Sequence, residues 1–78
     1  MNLGKIESVL GVLQSPAFEP VVMAIRNKCP DAAEGILRYI ECEQTEMLVE
    51  GIINHHESWL IDQAIEECYR RIELMRGE

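Results

Sequence analysis

The residues of this chain that come nearest to metal chemistry are two adjacent histidines and a glutamate, His55-His56-Glu57. Metal ligands carried by one helix sit three or four residues apart, as in H-E-x-x-H. Adjacent helical side chains diverge by about 100°. His55 and His56 therefore cannot both reach one ion from one helix, and Cys42, Cys68 or Glu50 would have to join them through the tertiary fold. Glu46/Glu50 and Asp62/Glu66 are carboxylate pairs at i,i+4, but no glutamate has a histidine at i+3, the pattern of di-iron bundles. A thiol nucleophile would need Cys29, Cys42 or Cys68 beside His55 or His56, and no family-specific signature surrounds any of them. Glycine-rich phosphate loops are lacking. The expectation is a protein that is not an enzyme and holds no metal or cofactor, its carboxylates forming a solvated face.

Composition narrows the partners. Seventy-eight residues make one domain, and 14 acidic against 7 basic residues give a net charge of −7. Phosphate contacts need clustered lysine and arginine, so direct nucleic-acid binding is not expected, nor is an anionic membrane surface. The longest apolar run, Val21 to Ile25, is far short of a membrane span. Near the N-terminus, Lys5 is followed by Glu7 with no long apolar stretch, unlike a signal peptide. Three widely spaced cysteines, an odd number without a C-x-x-C pair, suit reduced thiols in the cytoplasm better than a disulfide scaffold. A chain this short is marginal as a monomer, which favours a homodimer or an obligate partner protein.

The elements that would position these side chains are helices. All three prolines, Pro16, Pro20 and Pro30, lie in the first thirty residues and punctuate them. Leu3, Ile6, Val9, Leu10 and Leu13 make the apolar face of a first helix. Gly4, Ser8, Gly11 and Ser15 make a stripe of small residues along which another helix could approach. Ser15-Pro16 ends that helix and can start the next as N-cap and first helical residue; the alternative is a start at Pro20 after a turn over 15–19. Phe18, Val21, Val22, Ile25 and Cys29 give the second helix one apolar side. Asp31-Ala32-Ala33-Glu34 has the form of a capping box. Ala33, Ile36, Leu37 and Ile40 form the inner face beyond it, with Glu34 and Arg38 as an i,i+4 ion pair. Glu66 and Glu67 precede Arg70 and Arg71 by four in the same way. The polar stretch 41–46 is either an exposed helical segment or a short break.

Two later stripes, Leu48-Val49-Ile52-Ile53-His56 and Ile61-Ala64-Ile65-Cys68-Ile72-Met75, are out of phase. A turn within 54–58, with Ser58 as N-cap, removes the conflict and makes a helical hairpin. The rival is one long helix that packs on different partners at its two ends. Within the last helix, residues 62–74 (Asp62-Gln63-Ala64-Ile65-Glu66-Glu67-Cys68-Tyr69-Arg70-Arg71-Ile72-Glu73-Leu74) resemble the second helix of a tetratricopeptide repeat. The tyrosine is one place out of phase, and the preceding segment lacks the repeat's aromatic, Leu-Gly and Tyr pattern. The resemblance would imply peptide binding in a helical groove.

The expectation is an all-α single domain over 1–78, a small bundle of four to five short helices near 3–14, 17–28, 31–43, 46–54 and 58–76, which dimerisation would complete. Its expected role is that of a non-enzymatic, acidic protein-interaction module, an adaptor, chaperone-like cofactor or regulator. Glu46, Glu50, His55, His56, Glu57 and Trp59 are the candidate partner-binding residues, at the polar corner beside the single tryptophan. The alternative is an acidic inhibitor or immunity-type antagonist covering a basic face of its target, and a metal or redox protein ranks below both. Clustering of Glu41, Glu43, Glu46, Glu50 and Glu57 on one surface would favour the inhibitor, and scattering the adaptor.

Overall fold

Ala33, Leu37, Ile40, Gln44 and Met47 follow one another at spacings of four, three, four and three residues, and Ser58, Ile61, Ile65, Cys68 and Ile72 repeat the rhythm. In the computed structural model, which describes residues 6–77, both sets are buried, each along one long helix. In chain order α1 spans Val9–Leu13, α2 Glu19–Arg26, α3 Pro30–Val49 and α4 His55–Arg76, with no strand among the described residues. α3 and α4 form an antiparallel hairpin: Gln44 meets Ser58 near the turn, and Asp31 meets Arg76 at the open end. Alternating three and four spacing on both helices is the pattern of ridges packing along a shared seam. α2 packs on α3 and α4, and α1 packs on α4; Val12, Phe18 and Val21 carry the two short helices into the core. No helix of the described residues is long and apolar enough to cross a membrane.

The all-α expectation holds, with four helices among the described residues. The two segments expected at 31–43 and 46–54 are one helix that ends at Val49, and the last helix begins at His55 instead of 58. The physical reason is Gln44. It occupies a core position and continues the apolar stripe with a polar side chain, so the stripe looks broken where it is not. Its Nε2 donates to the Ser58 carbonyl at 3.0 Å, to Ser58 Oγ at 2.7 Å and to Asp62 Oδ1 at 2.9 Å. Two N–H bonds thus serve three acceptors, and both Gln44 and Ser58 are buried. Ser58, expected as an N-cap, is the α4 half of this clamp.

The N-terminal helices also differ from expectation. Leu3 and Gly4 lie outside the described residues. Ser8 is extended and caps α1, its Oγ accepting the Gly11 N–H at 3.0 Å; among the described residues of the expected 3–14, only 9–13 are helical. The small residues therefore serve a cap and a corner, not a close helix–helix contact: Ser15 is buried beyond α1 and its hydroxyl donates to the Val12 carbonyl. α2 starts at Glu19 with Pro20 in its first turn, after a turn over residues 14–18. Asp31 and Glu34 do not form a capping box. α3 begins with Pro30 behind Cys29, with no side-chain cap, and both acids bind Arg76, at 2.8 and 2.7 Å. The Glu34–Arg38 pair is formed at 2.6 Å, and Glu67 pairs with Arg70 at 2.8 Å and Arg71 at 3.6 Å. These pairs are largely exposed and add little stability.

Gln44→Ala removes the donor that the Ser58 hydroxyl and carbonyl share and opens a gap in the seam. Urea denaturation is expected to show a loss of about 2 kcal/mol. Gln44→Leu combined with Ser58→Ala, which removes both polar partners together, is expected to lose markedly less than Gln44→Ala alone.

Candidate functional site

The hairpin corner is built by two motifs in succession. Glu50 ends α3; Gly51 follows at φ +77°, and the N–H groups of Gly51 and Ile52 return to the carbonyls of Leu48 and Met47 at 3.2 and 2.9 Å. This is a Schellman closure, in which the left-handed residue is normally glycine. The same closure ends α2, where Lys28 takes the left-handed place at φ 58° and Cys29 donates to Ala24 at 2.9 Å. Three residues beyond Gly51, Asn54 opens α4 with a capping box: its Oδ1 accepts the Glu57 N–H at 2.8 Å, and Glu57 Oε1 accepts the Asn54 N–H at 2.9 Å. The turn thus lies at residues 50–54, ahead of the expected 54–58.

The six candidate residues all lie at this corner, in different roles. Glu46 and Glu50 are exposed on the last turn and C-cap of α3. His55 and His56 are exposed in the first turn of α4, not in a loop. His56 stacks on Trp59, ring centroids 6.1 Å apart and planes 16° from parallel, within the range of favourable offset stacking. Trp59 is 52% exposed. It follows Ser58, which faces the seam, so the indole turns away from α3 by about 100°. The Glu57 carboxylate is engaged in the capping box and serves the helix start. Among the described residues, no three His, Cys, Asp or Glu side chains gather as metal ligands would.

Two residues of the corner were missed as surface. Val49 is 81% exposed and Ile52 64%, although both belong to the stripe read as an inner face; Ile53 alone of its later members is buried. The phase conflict between the two stripes was the signal, because a stripe that straddles a turn has no common face.

Charge is divided along the hairpin. Between Arg38 and Arg70 the chain carries Glu41, Glu43, Glu46, Glu50, Glu57, Asp62, Glu66 and Glu67 and no lysine or arginine. Antiparallel pairing brings most of this stretch to the turn end, while Arg26, Lys28, Arg38, Arg70, Arg71 and Arg76 lie on segments towards the open end. Glu43, Glu46 and Glu50 share a stripe of α3 by their i, i+3, i+7 spacing. Glu41 lies on the other side, near Tyr69, whose hydroxyl pKa is raised by burial first and by Glu41 second. The acids therefore share an end of the molecule but not a single face. Glu46 and Glu50 also sit at the negative end of the α3 dipole, with no basic residue in that last turn, an arrangement that costs a little helix stability.

The cysteines divide into two exposed thiols, Cys29 and Cys42, and one buried, Cys68. Burial pushes the Cys68 thiol up to about 11, against a lowering by Arg71. The tetratricopeptide-like run lies within α4, whose inner side is taken by α3 and by the short helices. No protein family matches the chain, and no curated protein or solved structure is significantly similar to it.

Gly51→Ala meets no neighbouring atom, so its cost is the left-handed backbone alone, expected as a loss of about 1 kcal/mol in thermal or urea unfolding. Dithionitrobenzoate is expected to titrate Cys29 and Cys42 promptly in the native protein and Cys68 only as the protein unfolds. An unfolded thiol ionises near about pH 8.5, whereas folded Cys68 holds its proton to about pH 11. Between those values the unfolded state alone loses the proton, so this contribution is complete below the window and falls as pH rises through it. Cys68→Ala is expected to flatten that part of the stability–pH curve.

Proposed function

We propose that this protein is a non-catalytic interaction module that binds a basic surface of another protein through its α3–α4 corner. The supporting observation is the concentration of carboxylates at the turn end, where Val49, Ile52 and the His56–Trp59 stack also stand exposed. Exposed tryptophan is the side chain most enriched in binding hot spots, and a surrounding negative field steers a basic partner and raises its association rate. The placement of Glu46 and Glu50 against the α3 dipole adds to this. Local conflicts of that kind are expected where function, not stability, sets the residue. Free Cys29 and Cys42 suit a reducing compartment such as the cytoplasm. The stripe Glu43-Glu46-Glu50 favours an inhibitor of a basic target as the second reading, in which the partner's own site is covered.

The test begins with affinity capture of a partner from the source cell and continues with the purified pair. Trp59→Ala, and separately Glu46→Lys with Glu50→Lys, are expected to weaken binding by about tenfold or more, with association slowing as salt rises. Glu73→Lys, at the open end, is expected to leave affinity within about twofold. A partner that binds all the corner variants as it binds wild type would remove this reading. Loss of the partner's own activity on binding would select the inhibitor.

A further inference from the structure

α1 is a single turn of five residues, too short to close the groove between α2 and α4. A cleft of about 240 Å³ remains there. Leu10 and Leu13 form one wall, Val22 and Ile25 the other, and the neutral Cys68 thiol lies between them, while Arg26 and Arg71 line the same cleft. Leu10 is 63% exposed, an apolar side chain with a second apolar wall across from it and no other described helix over it. Arg26 makes no ion pair among the described residues. Arg71 is held only by Glu67 at 3.6 Å, and Glu67 also serves Arg70 at 2.8 Å. Two guanidinium groups with spare donors thus share one apolar cleft in a chain of net charge −7.

We infer that this cleft binds a single-chain aliphatic carboxylate of medium length, with its tail between α1 and α2 and its head group on Arg26 and Arg71. Planar guanidinium forks match a carboxylate in geometry as well as charge. Apolar walls remove the tail from water. The volume is below the roughly 300–1,000 Å³ of pockets for drug-sized molecules, which suits one narrow chain and excludes a ring system of that size. An inorganic anion has nothing to offer the walls, and an uncharged chain leaves the guanidinium groups without a partner. The site is separate from the hairpin corner and does not depend on the function proposed for it.

Decanoate is the probe, titrated below its micellar concentration into 15N-labelled protein. Saturable shifts are expected at the amides of Leu13, Val22, Ile25 and Cys68, with the Trp59 indole signal unmoved. Arg26→Ala with Arg71→Ala is expected to weaken decanoate by about tenfold or more, and decanol is expected to bind wild type more weakly than decanoate by a similar factor. Leu10→Glu replaces an exposed residue and places a carboxylate at the cleft, so it is expected to abolish binding while the circular dichroism and melting temperature stay near those of wild type. The inference is overturned by the absence of saturable shifts, by shifts centred on Trp59 and Ile52, or by equal affinity in the double arginine variant.

Discussion

One polar layer interrupts the apolar seam between α3 and α4: Gln44 from the first helix and Ser58 from the second, with Asp62 accepting a further bond from the same amide. A buried amide is costly without partners, so this layer allows one alignment of the two helices. A slip of one turn would set the Gln44 amide against Ile61 and leave the three bonds unmade. Polar residues at single seam positions of helical coils fix register in the same way, at some expense of stability. The apolar positions on the layer's open-end side, Leu37 and Ile40 on α3 with Ile61 and Ile65 on α4, supply the burial that holds the helices together but would tolerate other alignments.

The turn is fitted to that register. With Gln44 opposite Ser58, the chain must leave α3 and enter α4 within residues 50–54. It does so by a left-handed glycine and, three residues later, an asparagine capping box. On the surface, Val49, on the side of α3 away from the seam, and Ile52, within the turn, stand in solvent beside the carboxylates of Glu46 and Glu50. At the open end the chain uses weaker means, an exposed Arg76 reaching Asp31 and Glu34. The short α1 then packs on α4, and α2 packs on α3 and more lightly on α4, leaving the cleft between them. Charge is divided in part: the clamped half carries acids and no lysine or arginine, while the arginines of the other half are mixed with acids such as Asp31, Glu34 and Glu67.

The sequence exposed the inner side of α4 plainly: Ile61, Ala64, Ile65, Cys68 and Ile72 are apolar at helical spacing and all are buried. Ala33, Leu37 and Ile40 were legible for the same reason. What periodicity could not show was a core position filled by a polar residue. Gln44 and Ser58 look like surface until the partner across the seam is known, and so one helix read as two and the turn was placed too late. Capping signals were ambiguous in a related way. Asp31-x-x-Glu34 and Asn54-x-x-Glu57 both have a box's form, but the first has Pro30 ahead of it and an arginine 45 residues away competing for its carboxylates. The corner's neighbourhood of acids, histidines and Trp59 was visible in the chain. The exposure of Val49 and Ile52, and the arginine-lined cleft, depend on contacts distant in sequence.

The register clamp is the central claim, and the side-chain amide of Gln44 reports on it directly. In NMR spectra of the labelled protein its two N–H protons should be resolved, slow to exchange with water, and joined by cross-relaxation to protons of Ser58 and Asp62, whereas the exposed Gln14 amide exchanges freely. A Gln44 amide that exchanges as fast as that of Gln14, with no cross-relaxation to α4, would contradict the clamp and the hairpin alignment built on it.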